Sequence, residues 1–267
     1  MVVMMMMRRH LGCGRLAFLF TALIAVHISI SSSALPAFSD DLPVLRVPSC
    51  SSERGFAEFG NFSVSNTLPG KEAPRAAQAT NGRICWSSLG LHILETAQEK
   101  HIFSPYTGCE SPVFVKSDVL EAFLAPVIQL SDNPQWYFEL DVSPSGVMWG
   151  GLSNNSLGNA STCVAEKCTS GQLPCSGMAN FAHGMHAAAK NFSHAYQTSL
   201  FVPFEIFAKP FRLKNDKPWK TWRANFYRYD YPSGPNKTFQ NYELSAWSPT
   251  FSPSFHVPSR FGHLIMV

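Results

Sequence analysis

From Phe138 to Val142 the chain reads Phe-Glu-Leu-Asp-Val, apolar and acidic side chains in strict alternation, and Ser143-Pro144-Ser145-Gly146 separates this run from Val147-Met148-Trp149. A period of two belongs to a pleated strand and cannot keep one face of a helix apolar. The link bearing proline and glycine turns the chain back on itself, so the segment is read as a hairpin. Alternation puts Phe138, Leu140 and Val142 on one face and Tyr137, Glu139 and Asp141 on the other. One face packs and the other displays carboxylates.

The same grammar runs through most of the chain from Arg83 onward, as short alternating runs broken by Pro, Gly, Asn and Ser. Strands are expected over Arg83 to Ser87, Leu91 to Ala97, Val119 to Ala125, Trp136 to Val142, Val147 to Leu152, Thr198 to Pro203, Thr221 to Asp230, Asn241 to Trp247 and Gly262 to Val267. Helical periodicity is nearly absent. The fold class is therefore all-β, an antiparallel β-sandwich of two packed sheets with a jelly-roll-like arrangement.

Two regions depart from this pattern. Residues 1–34 combine a basic start (Arg8, Arg9, His10, Arg15), an apolar run from Leu16 to Ile30 and the small residues Ser31 to Ala34. This is the make-up of a secretory signal peptide, and it is too short for a spanning helix with a stop-transfer flank. A secreted product without stable membrane insertion is expected. Residues 153–195 are rich in Asn, Gly, Ser, Ala and Cys and read as a long inserted loop, while 35–80 read as an irregular wrap around a domain spanning 81–267.

An extracellular setting gives the cysteines their meaning. Cys13 leaves with the leader, and Cys50, Cys85, Cys109, Cys163, Cys168 and Cys175 remain as disulfide candidates whose pairing the sequence does not choose. Zinc is the competing use, because Cys163, Cys168, Cys175, His183 and His186 crowd one segment, but their spacing matches no zinc knuckle. Sequons begin at Asn61, Asn154, Asn159, Asn191 and Asn236 and mark surface backbone for glycosylation. The formal charge of +3 loses three arginines with the leader, and a near-neutral chain has no basic footprint for nucleic acid.

Two constellations bear on function. In Asp118-Val119-Leu120-Glu121-Ala122-Phe123-Leu124, Glu121 shares parity with Val119 and Phe123, so its carboxylate is either solvated or held by sugar hydroxyls or an arginine. In Thr221 to Asp230, Arg223, Asn225, Tyr227 and Tyr229 share one parity, a set that suits either a multi-hydroxyl ligand or a structural network. No G-x-S-x-G elbow, H-E-x-x-H helix or phosphate loop occurs.

The order D-V-L-E-A-F-L-A-P (Asp118 to Pro126), Y-F-E-L-D-V-S-P-S-G (Tyr137 to Gly146), F-V-P-F-E-I-F (Phe201 to Phe207), W-R-A-N-F-Y-R-Y-D (Trp222 to Asp230), L-S-A-W-S-P-T and F-H-V-P-S-R-F-G resembles the family 9 carbohydrate-binding module and its DOMON-like relatives. The resemblance spans about Arg83 to Val267. It implies a two-sheet sandwich with an aromatic slot for glucan or xylan chain ends or small sugars, no required cofactor, and calcium only in a structural role. Glu121 resembles the family's sugar-binding glutamate, Glu139 and Asp141 stand where polar groups approach the sugar, and Phe255 matches one of two aromatic clamp positions. The other clamp position falls on Val115, with Phe114 beside it, which weakens stacking.

The leading expectation is a monomeric, non-catalytic carbohydrate-binding domain. Phe114, Trp247 and Phe255 are its aromatic platforms, and Glu121, Glu139, Asp141, Arg223, Asn225, Arg228 and His256 its polar partners. The alternatives are a glycoside hydrolase or its accessory protein, a structural surface glycoprotein that lost the site, and a haem-binding relative drawing on Met148, Met178, Met185, His183 and His186.

Overall fold

Alternation becomes strand wherever a neighbouring strand takes up the backbone hydrogen bonds. The computed structural model describes residues 41–50, 59–68, 74–107, 113–114, 116–154, 162–163, 184–208, 211, 219–232 and 242–267, all within one unit, Phe38–Val267. The leader, Cys109, Val115, Asn159, Cys168, Cys175, Met178, His183 and Asn236 lie outside the described residues. The strands are β1 (Val44–Val47), β2 (Gly60–Thr67), β3 (Arg75–Trp86), β4 (Gly90–Gln98), β5 (Val119–Pro126), β6 (Trp136–Val142), β7 (Met148–Asn154), β8 (Thr162–Cys163), β9 (His186–Asn191), β10 (Ala195–Pro203), β11 (Thr221–Asp230), β12 (Glu243–Ala246) and β13 (Gly262–Met266). One helical turn, α1 (Glu205–Ala208), and a 3-10 turn at Pro258–Arg260 complete the described elements. No helix among the described residues is long and apolar enough to cross a membrane.

The strands form an antiparallel β-sandwich. The hydrogen-bonded order is β8-β7-β6-β5-β11-β12-β2-β3-β4-β10-β9, with β13 beside β11 and β1 beside β13. Only the β1–β13 pair is parallel among the named strands. The short strand β12 joins the halves, pairing with β11 through Tyr227–Asp230 and with β2 through Thr67 and Asn66.

Side chains from the two halves meet in one apolar layer: Phe62, Val64, Ile84, Ile93 and Val202 from one side, Ala122, Leu124, Phe138, Leu140, Trp222 and Phe226 from the other. Phe62 stacks on Phe226 with centroids 3.9 Å apart. Burying one such ring contributes about 2 to 3 kcal/mol. Directly opposite Phe62 stands Gly82, where an added Cβ would come 2.0 Å from the Phe62 ring. Only glycine lets the ring lie flat on the strand there.

The irregular wrap expected over 35–80 is corrected by β1, β2 and the first half of β3. Strand β2 alternates as well as any, with Phe62 and Val64 buried between exposed Asn61 and Ser63. Its Gly, Asn and Ser content hid a period of two. The run Arg-Ala-Ala-Gln-Ala-Thr-Asn-Gly at 75–82 has little apolar signal of its own, and its later part becomes strand between β2 and β4. The inserted loop is likewise shorter than expected, since β9 and the start of β10 occupy its last residues.

Cys50 is bonded to Cys85, with Cα atoms 5.2 Å apart. The Cys50 amide also donates to the Trp86 carbonyl at 2.7 Å. The N-terminal segment is thereby tied to β3 both covalently and through the backbone.

Candidate functional site

Because β5, β6 and β11 lie side by side with one face on the core, the opposite parity of all three makes a second, outer face. Register brings Tyr227 opposite Glu121, Glu121 opposite Asp141, and Asp141 opposite Trp149. One row thus crosses four strands. The next row sets Asn225 opposite Phe123 and Phe123 opposite Glu139. Neighbours in such rows have Cβ atoms about 5 Å apart, and carboxylate oxygens of Glu121, Glu139 and Asp141 lie within 4.8 Å of one another.

This acidic trio is buried. Asp141 is 0% exposed, and Glu121 and Glu139 are also buried. Among the described residues, neither Asp141 oxygen has a hydrogen-bond partner, nor does Glu121 Oε1. Burial, then the charges of Glu139 and Glu95, holds the Glu121 pKa well above its ordinary value. Asp141 is raised in the same way, first by burial and then by Glu121 and Glu139. Trp149 Nε1, a donor, is also buried and has no acceptor among the described residues.

The segment after β12 covers this face, and the side chains expected to bind ligand hold it down. Arg223 donates to the carbonyls of Phe261 (2.7 and 2.9 Å), Ser259 (3.1 Å) and Asp132 (2.9 Å). Asn225 donates to the Ser248 carbonyl and accepts from its amide, both at 2.9 Å. Tyr227 donates to the Phe255 carbonyl at 2.8 Å. Arg223 and Asn225 are therefore anchors of the covering segment, the network alternative of the two readings.

Phe255 is 5% exposed and lies flat on Tyr227, with centroids 4.1 Å apart and planes 17° apart. A sugar-stacking ring needs a free face, and Tyr227 and the edge of Tyr229 at 5.2 Å occupy its surroundings. His256, beside it, accepts from or donates to the Tyr137 hydroxyl at 2.7 Å and sits 3.7 Å from Glu139. Burial lowers the His256 pKa to about 4, so the ring is neutral near pH 7 and the contact is no ion pair.

Two expected partners lie on the other face. Trp247 packs towards Phe62 and Phe226 at 6.3 and 5.7 Å, against the main core. Arg228 has the parity of Phe226 and points between the sheets, where it donates to Glu99 at 2.7 Å, Asp230 at 3.0 Å and Thr80 at 2.9 Å. Glu99, Asp118 and Asp230 form a second buried acidic group there. Arg228 is thus an internal counter-ion.

Residues that the sequence reading left out of the site complete it. Tyr229 and Tyr242 stand 5.6 Å apart, and Tyr242 is 45% exposed. Phe114 meets Trp149 edge-on at 5.1 Å. Burial and the carboxyls of Glu121 and Asp141 raise the Tyr229 pKa, leaving a neutral phenol beside them. Tyr229 carried a legible signal, the parity it shares with Arg223 and Tyr227. Tyr242 falls inside the strand expected from Asn241 to Trp247 but is not picked out for the site there, and strand β12 begins one residue after it. Of the other candidates, Asn61 and Asn191 are exposed on β2 and β9, Asn154 and Cys163 lie in β7 and β8, and Met185 is part of the main core with Met148 packed against it.

No protein-family profile and no curated protein sequence matches the chain. Solved structures do. A Bacteroides uniformis protein described as carbohydrate-binding superposes with TM-score 0.57 at 14% identity, covering 85% of this chain and all of that one. A family 9 carbohydrate-binding module from Caldicellulosiruptor kristjanssonii, solved with cellotriose, superposes with TM-score 0.52 at 11% identity over 84% of this chain and 93% of the module. The same module solved with glucose gives the same score and identity. The chain has the sandwich fold of these proteins.

Proposed function

We propose that this chain is a secreted, non-catalytic carbohydrate-binding domain for a glucan- or xylan-type saccharide, acting as a monomer without a required cofactor. One observation carries the reading: the partly exposed rings of Phe114, Tyr229 and Tyr242 flank a face on which both Asp141 oxygens and Glu121 Oε1 meet no donor among the described residues. Saccharides offer both complements, hydroxyl donors for the carboxyls and C–H faces for the rings. Glu139, beside the half-exposed His256, is the carboxyl nearest a bound ligand. The shared fold with modules solved in complex with cellotriose and glucose supports the ligand class.

Secretion is supported by the Cys50–Cys85 disulfide and by two exposed sequon asparagines, Asn61 and Asn191. Hydrolysis is not favoured. It places an acid and a second carboxylate roughly 5 to 9 Å apart across a bond, whereas Glu121, Glu139 and Asp141 sit together beneath one surface.

Pull-down on cellulose, xylan, chitin and β-1,3-glucan, with a thermal-shift panel of soluble sugars, tests the proposal. Retention on a glucan or xylan is expected, reduced about fivefold in Tyr242→Ala, an exposed position where loss of one stacking ring leaves the core intact. No retention on any polymer and no thermal shift would remove the reading and leave a scaffold glycoprotein.

A further inference from the structure

The outer face of β2, β3, β4, β10 and β9 has no part in the site described above. Register lays three rows of side chains across it. The first runs His92, Phe201, His186, with the Phe201 ring 4.7 Å from His92 and 6.4 Å from His186. The third runs Ser63, Asn81, Thr96, Gln197, Lys190, where Ser63 donates to Asn81 at 2.8 Å and Gln197 to Thr96 at 2.9 Å. Between them stand Asn61, Arg83, Leu94, Ser199 and Ala188, and Ser199 and Ala188 are exposed. Short side chains between two longer rows make a shallow trough. None of the three rows contains a carboxylate, and Arg83 forms no ion pair among the described residues.

We infer that an N-linked glycan on Asn61 lies along this trough and covers the face of its own domain. The inference rests on the secretory part of the proposed function. Asn61 is exposed, opens the sequon Asn-Phe-Ser, and is itself the first member of the trough row. Its Nδ2 donates to the Phe59 carbonyl at 3.2 Å, and a glycosylated amide keeps one hydrogen for that bond. Sugars match the lining: their hydroxyl and acetamido oxygens accept from Arg83 and the amide row, and their C–H faces lie on the Phe201 row. Four strand spacings from β2 to β9 give the glycan a track of about 19 Å. Covalent attachment makes the docking intramolecular, so weak contacts suffice to populate it. The other exposed sequon on a described strand lacks this setting. Asn191 has the parity of Ala187, which packs against the core, and it stands on the last strand of the order, so its glycan leaves from the sheet edge.

The full-length chain is expressed in eukaryotic cells and recovered from the medium, and glycopeptide mass spectrometry reads the occupancy of each sequon. The folded protein is then labelled with diethyl pyrocarbonate, and modification of His186 is measured against exposed His101. A glycan docked for about two-thirds of the time leaves His186 open for one-third, so Asn61→Gln should raise its labelling about threefold. Asn191→Gln should leave it unchanged. Enzymatic trimming of the wild-type glycans to their first sugar repeats the test without a mutation and should give the same rise. An empty Asn61 beside other occupied sequons overturns the inference while secretion stands. With Asn61 occupied, labelling of His186 that neither Asn61→Gln nor trimming raises also overturns it. Retention on polysaccharide, read through Tyr242, is a separate measurement and does not decide this one.

Discussion

Replacing Arg228 with methionine separates a structural arginine from a ligand-binding one. The guanidinium is 1% exposed and bonded to Glu99 and Asp230, with Thr80 and the Gln98 carbonyl at 2.9 Å each. Methionine keeps much of the apolar stem and removes the charge. Breaking a buried pair by deleting one partner costs about 3 to 5 kcal/mol, and the stranded Thr80 and Gln98 groups add about 1 kcal/mol. A loss of at least about 4 kcal/mol is therefore expected, a large share of an ordinary domain's stability.

The loss should also depend on pH. Burial by itself would raise the Glu99 pKa, but the His101 amide, Gln78 and Arg228, with Asp230, hold it below the ordinary value. Such a group contributes stability above its unfolded pKa that is lost as pH falls through the folded one. Without Arg228 the Glu99 pKa rises, so protonation relieves the variant as pH falls towards 5, while the wild type, with Glu99 held below its ordinary value, keeps its contribution there. Urea titrations at pH 8 and pH 5 should show the gap narrowing. A loss under about 1 kcal/mol, or one equal at both pH values, would refute the internal counter-ion role. Saccharide retention per folded molecule should be unchanged.

Gly82→Ala drives a Cβ into the Phe62 ring, which Phe226 backs at 3.9 Å, and should cost about 1 to 3 kcal/mol in denaturant titration. Adding Phe62→Val should relieve the clash and make the pair non-additive by about 1 kcal/mol, while additive losses would show that the ring contact is not the cause. Glu95 is buried in the sandwich, and burial raises its pKa to about 8. Stability from a raised carboxyl is complete below the unfolded pKa and lost as pH climbs through the folded one, so the wild type should lose roughly 2 to 3 kcal/mol on this account between pH 6 and pH 9. Glu95→Gln should flatten that slope, and an unchanged slope would place the titration elsewhere.

Strand type and strand parity were legible from residues alone. The alternation at Phe138 to Val142 and the shared parity of Arg223, Asn225, Tyr227 and Tyr229 are local properties of a pleated chain, in which neighbours must point to opposite faces. They correctly put Glu139 and Asp141 together on one face of β6, and Glu121 with Phe123 on one face of β5. Where composition was small and polar, as in β2 and the first half of β3, the same periodicity was present but too faint to read.

What a strand faces is not local. Parity separates Arg228 from Arg223 but does not say which face is the core, and both proved buried, one between the sheets and one pinning the covering segment. The meeting of Glu121 with Asp141 depends on the register between β5 and β6. The link from Cys50 to Cys85, 35 residues apart in sequence, depends on the chain passing β3. Phe255 had the composition of a sugar platform, yet the covering segment laid it on Tyr227. The sequence by itself determined an all-β chain and the side of each strand its acids share. Only the tertiary structure decided which acids meet and which rings stay open, because pairing partners far apart in the chain set both distance and burial.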